Sequence, residues 1–302
     1  MTARRQFLHH GLLCAGLLSP LKNLALAAAP DDVALPPGLA RRLAGIERRS
    51  GGRLGVMVLP TGGSDRPWGW NADARFPLCS SFKLLLASMA LHEVAGGRLS
   101  LDERLPFTRA NLIDWSPVTD SEADHGAGMT VGALCAATLA TSDNTAANLV
   151  LARLGGPAAL TAYLRSLGDT VTRLDRNEPA MNRPGADPHW DTSSPRAMAT
   201  TAQALMLGTG LPAPEQARLL RWMRASVTGG RRLRAGAASD WQVVTKTGTS
   251  NTDSIDVGVL WPARRPPLVV AAFIRDSQAD GAVRDACLAD VARLLQAPPP
   301  AG

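Results

Sequence analysis

The sequence predicts a mixed α/β (α+β) fold: an antiparallel five-stranded sheet flanked by helices and formed by both chain ends, with an all-α region inserted between them. Three observations predict it. Short apolar runs with strand character lie near both ends, the long middle is rich in Ala and Leu at helical spacing, and helical patterns stand outside the strands on either side.

In chain order, residues 1–29 read as an export signal. Arg4 and Arg5 precede Phe7 and Leu8, an apolar stretch runs to Leu18, and small residues gather at Ala25, Ala27, Ala28 and Ala29. The paired arginines point to the twin-arginine route and a periplasmic destination, with cleavage near Ala27 to Ala29. His9, His10, Pro20 and Lys22 interrupt the ~20 apolar residues that a membrane-spanning helix needs. Leu13 before Cys14 argues against a lipidated cysteine, and no later segment is apolar enough to span, so no membrane partner is expected after cleavage.

From Pro37 to Arg49 an apolar face recurs at Leu39, Leu43 and Ile46, and Ser50-Gly51-Gly52 ends the helix. Leu54 to Leu59 and Trp68 to Trp70, separated by Pro60-Thr61-Gly62-Gly63, predict a hairpin. Helical spacing dominates from about Ser80 to Met223. Between Arg173 and Pro195, four prolines (Pro179, Pro184, Pro188, Pro195) forbid regular structure over a span long enough to be a functional loop. Trp241 to Thr247, Ile255 to Trp261 and Leu268 to Ile274 complete the sheet, and a helix from about Ala282 to Leu295 covers it. The expected catalytic unit is residues 30–302, with a sheet part at about 30–75 and 226–297, an all-α part at about 76–225, and the active site between them.

Composition narrows the function. The 302 residues are 45% hydrophobic and 19% charged, an ordinary globular balance. The formal charge is +6, but residues 1–27 hold Arg4, Arg5 and Lys22 and no acid, which leaves 29 basic against 26 acidic groups. That excess is too small, and too free of basic stripes interleaved with aromatics, to suggest nucleic acid. Arg231-Arg232 and Arg264-Arg265 read as solvated pairs, with Arg232 the exception taken up below. Cys79, Cys135 and Cys287 remain after cleavage, an odd number with no metal-ligand spacing, and His92-Glu93 has Gly96 where a zinc helix needs a second histidine. No metal and no cofactor are expected, and the chain is expected to be a monomer.

Arginine outnumbers lysine 29 to 3, and beyond the export segment only Lys83 and Lys246 remain. A bias toward arginine fills basic positions generally; two lysines that escape it mark sites needing what arginine cannot do, which is to lose its proton when desolvated. Lys83 follows Ser80 by three residues at the start of a helical pattern, so one turn sets amine and hydroxyl on one face. Lys246-Thr247-Gly248 ends a strand. Ser142-Asp143-Asn144 stands between two helical runs, where Ser and Asp also serve as helix caps.

With these three motifs in this order, the chain resembles the penicillin-recognising serine enzymes, and among them the class A β-lactamases. The resemblance covers nearly all of the chain beyond the export segment, including Thr141 to Asn148 and the loop from Arg176 to Asp191. It implies that Ser80 is the nucleophile attacking a small-molecule β-lactam, with Lys83 moving its proton. Ser142 relays a proton to the lactam nitrogen, and Asn144 holds the substrate's side-chain amide. Lys246, Thr247, Thr249 and Arg232 receive the substrate carboxylate, and the N–H groups of Ser80 and Thr249 form the oxyanion hole. Glu178 and Asn182, in Glu178-Pro179-Ala180-Met181-Asn182, match the pair that activates the deacylating water. Arg176 and Asp191 match the ion pair closing that loop, and Trp115 the aromatic at the cleft mouth.

Two departures matter. Ala87 removes a common partner of Cys135, so that family disulfide is expected to be absent. Ser250 stands where many carbapenem-hydrolysing relatives carry the cysteine that bridges to the position of Cys79, which argues against carbapenem turnover despite Trp115 and Thr249. The rivals are a penicillin-binding DD-peptidase, which lacks the loop glutamate, and a β-lactam receptor domain, which needs a membrane helix and an effector. A general esterase elbow, Gly-x-Ser-x-Gly, is not present around Ser80.

Overall fold

Helix α1 (Pro37–Ser50) buries Leu43 and Ile46, three residues apart as one helical face requires. It stops where Gly51 adopts φ +63°, a conformation that costs glycine nothing. The computed structural model to which it belongs describes Leu35 and residues 37–296; the expected export segment, Cys14 and the proline-rich tail lie outside the described residues. Strands β1 (Arg53–Pro60) and β2 (Trp68–Trp70) form the expected hairpin, with Val56 opposite Trp70.

The middle of the chain begins with a two-residue strand, β3 (Phe76–Pro77), and the 3-10 turn Cys79–Ser81, which leads into α2 (Phe82–Ala95). Leu84, Leu85, Leu86, Ala87, Ala90 and Leu91 are wholly buried around α2, so this helix is apolar on all sides and runs through the interior. Next come β4 (Arg104–Leu105), the single turn α3 (Thr119–Glu122), β5 (Met129–Thr130), α4 (Val131–Ala140), α5 (Asn144–Arg153) and α6 (Gly156–Ser166). The proline-rich loop follows and ends in β6 (Thr192–Ser193), before α7 (Pro195–Met206) and α8 (Ala213–Arg224). A short helix, α9 (Leu233–Gly236), precedes β7 (Gln242–Thr249), β8 (Ser254–Trp261), β9 (Leu268–Arg275) and α10 (Gly281–Leu294).

The main sheet has the order β2-β1-β9-β8-β7, antiparallel throughout, so the first and last parts of the chain meet where β1 pairs β9. Its strands read as continuous apolar runs because both faces are covered. On the inner face Met57, Val257, Val269 and Phe273 join the core of the helical region; on the outer face Val56, Val58, Val270 and Ile274 pack with Leu43, Leu288 and Val291 of α1 and α10. That alternation is the period-two geometry of a strand.

Two findings differ from an all-α insertion. The inserted region contains two small antiparallel pairs, β3 with β6 and β4 with β5. Pairs this short carry no periodicity, so helical spacing alone misses them. The first is also functional in placement, because it ties the end of the proline-rich loop to the segment leading to Ser80. Helix α7, moreover, packs on β1, β8 and β9, so it forms the inner layer over the sheet.

Candidate active site

Ser80 occupies the 3-10 turn and Lys83 the first turn of α2. The Lys83 Nζ lies 2.9 Å from Ser80 Oγ, the geometry expected of residues one helical turn apart. The amine is fully buried and reaches the Ser142 carbonyl at 2.8 Å, Ser142 Oγ at 3.3 Å and Asn144 Oδ1. The Ser142 carbonyl and Asn144 Oδ1 can only accept, so the amine donates to both, while the Ser80 and Ser142 hydroxyls can donate or accept.

Asp143 caps α5 by accepting from Ala146 N–H at 2.8 Å, so the capping role and the functional motif coincide. The same carboxylate, wholly buried, accepts from Val118 and Thr119 N–H, each at 2.9 Å. It thereby fastens the segment bearing Trp115. Trp115 itself is 66% exposed at the rim, with its Nε1 on Thr141 carbonyl at 3.0 Å and its own carbonyl accepting from Asn144 N–H at 2.9 Å.

From the proline-rich loop, Glu178 arrives 4% exposed, with Oε1 accepting from Ser80 Oγ at 3.2 Å and lying 3.5 Å from Lys83 Nζ. Asn182 donates to its Oε2 at 2.6 Å. Three ties hold this loop. Asp191 pairs with Arg176 at 2.7 Å, its backbone carbonyl accepts from Leu78 N–H at 2.8 Å, and Asn148 brackets the Glu178 backbone with bonds of 2.8 and 3.1 Å. Sequence reasoning misses Asn148 as a site residue, although its place four residues after Asn144 on the same helix face is a spacing that could have found it.

Strand β7 forms the opposite wall. Lys246, also fully buried, donates to Ser142 Oγ at 3.0 Å and to Thr247 carbonyl at 2.8 Å. Gly248 lets this strand approach the nucleophile turn, since a Cβ there would sit 2.9 Å from Leu78 O and 3.0 Å from Cys79 Cβ. The two neighbouring arginines separate: Arg231 is 85% exposed, whereas Arg232 is 7% exposed and bonds Gly248 O, Ile255 O and Thr249 Oγ1 at 2.7–2.8 Å. Asp285 of α10 balances it at 2.6 Å, a partner 53 residues away that no local pattern announces. Thr247 Oγ1 meets Thr228 at 2.8 Å, and Thr249 is exposed toward the cleft.

Every site residue expected from the sequence therefore belongs to one connected constellation. Its backbone is unusual too. Cys79, Trp115, Ser142 and Asp191 all have φ between +41° and +63°, a region that costs a residue with a Cβ about 1–3 kcal/mol. Four of the six such non-glycine residues among those described thus flank the site. Cys79, Cys135 and Cys287 are free and buried, so no disulfide braces it.

Burial lowers the Lys83 pKa to about 8, the neighbouring Glu178 and Asp143 carboxylates holding it from falling further. Lys246 falls well below its usual range, through burial first and then the charges of Lys83 and Arg232. Lys83, Lys246 and Arg232 thus crowd one space, and an anion bound there would favour the charged form of Lys246 that burial opposes, which suits the β7 wall to an anion. Among the described residues no group of three or more His, Cys, Asp or Glu is placed to hold a metal, and no helix is long and apolar enough to cross a membrane.

A serine held between a buried amine and a buried carboxylate is the arrangement of a serine-nucleophile hydrolase. A family model described as the β-lactamase enzyme family matches residues 38–297. The β-lactamase of Mycobacterium tuberculosis is 42% identical over 282 residues, covering 90% of each chain. The carbapenem-hydrolyzing β-lactamase KPC of Klebsiella oxytoca is 40% identical over 290 residues, covering 95% of this chain and 96% of that one. Among solved structures, an ancestral (GNCA) class A β-lactamase matches with a TM-score of 0.82 and 48% identity, over 85% of this chain and 98% of that one. The chain belongs to the class A serine β-lactamases and is a hydrolase of β-lactams.

Proposed function

We propose that the enzyme opens the lactam amide by forming an acyl-enzyme on Ser80 and clears it with a water activated by Glu178. The observation that carries this reading is the position of Ser80 Oγ, 2.9 Å from Lys83 Nζ and 3.2 Å from Glu178 Oε1 in a buried site. With a pKa of about 8, Lys83 is largely an ammonium at pH 7, so it donates to Oγ while the Ser80 proton faces Glu178. Oγ attacks the carbonyl carbon, and the Ser80 and Thr249 N–H groups hold the oxyanion, at about 2.7–4 kcal/mol per donor in comparable sites. The C–N bond breaks as Ser142, linked to both lysines, passes a proton to the lactam nitrogen and is refilled by Lys83, which in turn takes the proton held by Glu178 and so restores its carboxylate. Water then attacks the ester, Glu178 takes its proton with Asn182 orienting the carboxylate, and that proton passes to Ser80 Oγ as the ester C–O bond breaks.

Lys246, Arg232, Thr247 and Thr249 bind the substrate carboxylate, Asn144 holds its side-chain amide, and Trp115 borders the mouth. The free Cys79, with Ser250 in place of a second cysteine, argues against efficient carbapenem turnover. Arg4-Arg5 and the small residues before Pro30 support export by the twin-arginine route to the periplasm, where a monomer would protect its host from β-lactams.

The test is Glu178→Ala. Removing that carboxylate takes away the charge that raises the Lys83 pKa, so more free amine is present to accept the Ser80 proton. Acylation therefore continues slowly while deacylation stops. Intact-mass measurement should show a penicillin adduct on Ser80 that persists for hours; parental turnover of nitrocefin would overturn the assignment.

A further inference from the structure

Helix α1 carries Arg41, Arg42, Arg48 and Arg49, all exposed, and a single acid, Glu47. The side chain of Glu47 is occupied inward, accepting from Leu54 N–H at 3.1 Å, Trp70 Nε1 at 3.0 Å and Asn71 at 3.2 Å. Arg41 and Arg48, and likewise Arg42 and Arg49, are seven residues apart and so share a face of a helix about 21 Å long. Between them stands Gly45, which adds no bulk. Of the four, Arg49 is paired with Asp290, which also bonds Arg293. Arg41, Arg42 and Arg48 have no ion pair among the described residues.

The charge count makes this stripe singular. Beyond residue 27 the chain has 29 basic and 26 acidic residues; α1 holds four of the former and one of the latter, leaving 25 of each elsewhere. The whole net charge of that part of the protein is thus concentrated on one helix. The stripe lacks aromatics, so the joint pattern of basic and aromatic residues that marks nucleic-acid binders is missing from it.

We propose that the outward face of α1 docks the enzyme on the surface of an anionic phospholipid bilayer, as a peripheral contact with no inserted segment. This departs from the expectation of no membrane partner. Guanidinium groups pair bidentately with phosphate, which suits a field of lipid headgroups. The apolar side of α1 is already committed to Leu43 and Ile46 in the core, so attraction is electrostatic and sensitive to salt. Because α1 covers the outer face of the sheet and the catalytic groups stand on the inner side, docking leaves the cleft open.

The test is sedimentation of the full chain with vesicles of phosphatidylglycerol and phosphatidylcholine, against pure phosphatidylcholine, at low and physiological salt. Residues 1–29, with Arg4, Arg5 and Lys22, are common to every variant, so their contribution is the same in the parent and in both triple variants, and phosphatidylcholine reports any part of it that does not depend on charge. Arg41→Gln/Arg42→Gln/Arg48→Gln should lower partitioning to anionic vesicles at least tenfold, since each basic residue near such a surface contributes on the order of fivefold. A control with equal charge loss elsewhere, Arg221→Gln/Arg224→Gln/Arg264→Gln, should change it less than twofold, and nitrocefin hydrolysis should be unaltered in both. Equal losses in the two triple variants, binding insensitive to salt, or heparin binding that the α1 variant weakens equally would overturn the proposal.

Discussion

The two lysines of the site are both buried, both bonded to Ser142 Oγ, and electrostatically unlike. Lys83 has a carboxylate 3.5 Å away, and its pKa settles near 8. Lys246 has no carboxylate so close; its bonds go to a hydroxyl and a carbonyl, and Lys83 and Arg232 press its pKa down further. The comparison teaches a division of labour. On the α2 side a carboxylate supports the charged amine, while on the β7 side burial and neighbouring cations oppose it, so a bound substrate anion would favour the charged form there.

The largest expected effect breaks the first half of that contrast. Lys83→Arg keeps the charge but replaces a compact three-donor head with a planar fork in a buried space. Single-turnover acylation should fall on the order of 10³-fold, within the usual range for losing positioned proton transfer. Acylation near the parental rate would show that charge alone suffices. A smaller effect tests the second half: Lys246→Ala should raise KM about 10- to 100-fold for substrates with a free ring carboxylate, the span expected for a charge-assisted contact. The corresponding carboxylate ester should be nearly indifferent to the change, and an equal penalty for ester and acid would remove the receptor role.

The smallest effect, and the sharpest, is in pH. If ammonium Lys83 is the working form, kcat/KM should decline as pH rises through about 8, where the amine loses its proton. A rise through the same range would instead make the free amine the acylation base. In Glu178→Ala the raising influence of the carboxylate is gone, so the titration seen in the acylation rate should move to lower pH.

Much of this site is legible in the sequence because local spacing encodes it. Ser80 and Lys83 meet by one turn of helix, and Asp143 caps the helix that starts at Asn144. Lysine scarcity singles out Lys83 and Lys246 on chemistry alone. The loop glutamate is different: Glu178 and Asn182 gain meaning from the family resemblance, since a loop acid by itself reads as solvated.

What the sequence by itself determined is the set of elements and the residues able to do chemistry, because helical and strand periodicities and the side-chain pKa range are properties of neighbouring residues. Only the tertiary structure decided which of Arg231 and Arg232 is buried, that Asp285 balances the latter and that Asn148 and Asp191 brace Glu178. It also left the α1 arginines exposed by packing the opposite side of that helix against the sheet and α10. These are contacts between segments far apart in the chain. Burial, and the pKa shifts that follow from it, exist only once those segments have packed together and excluded water.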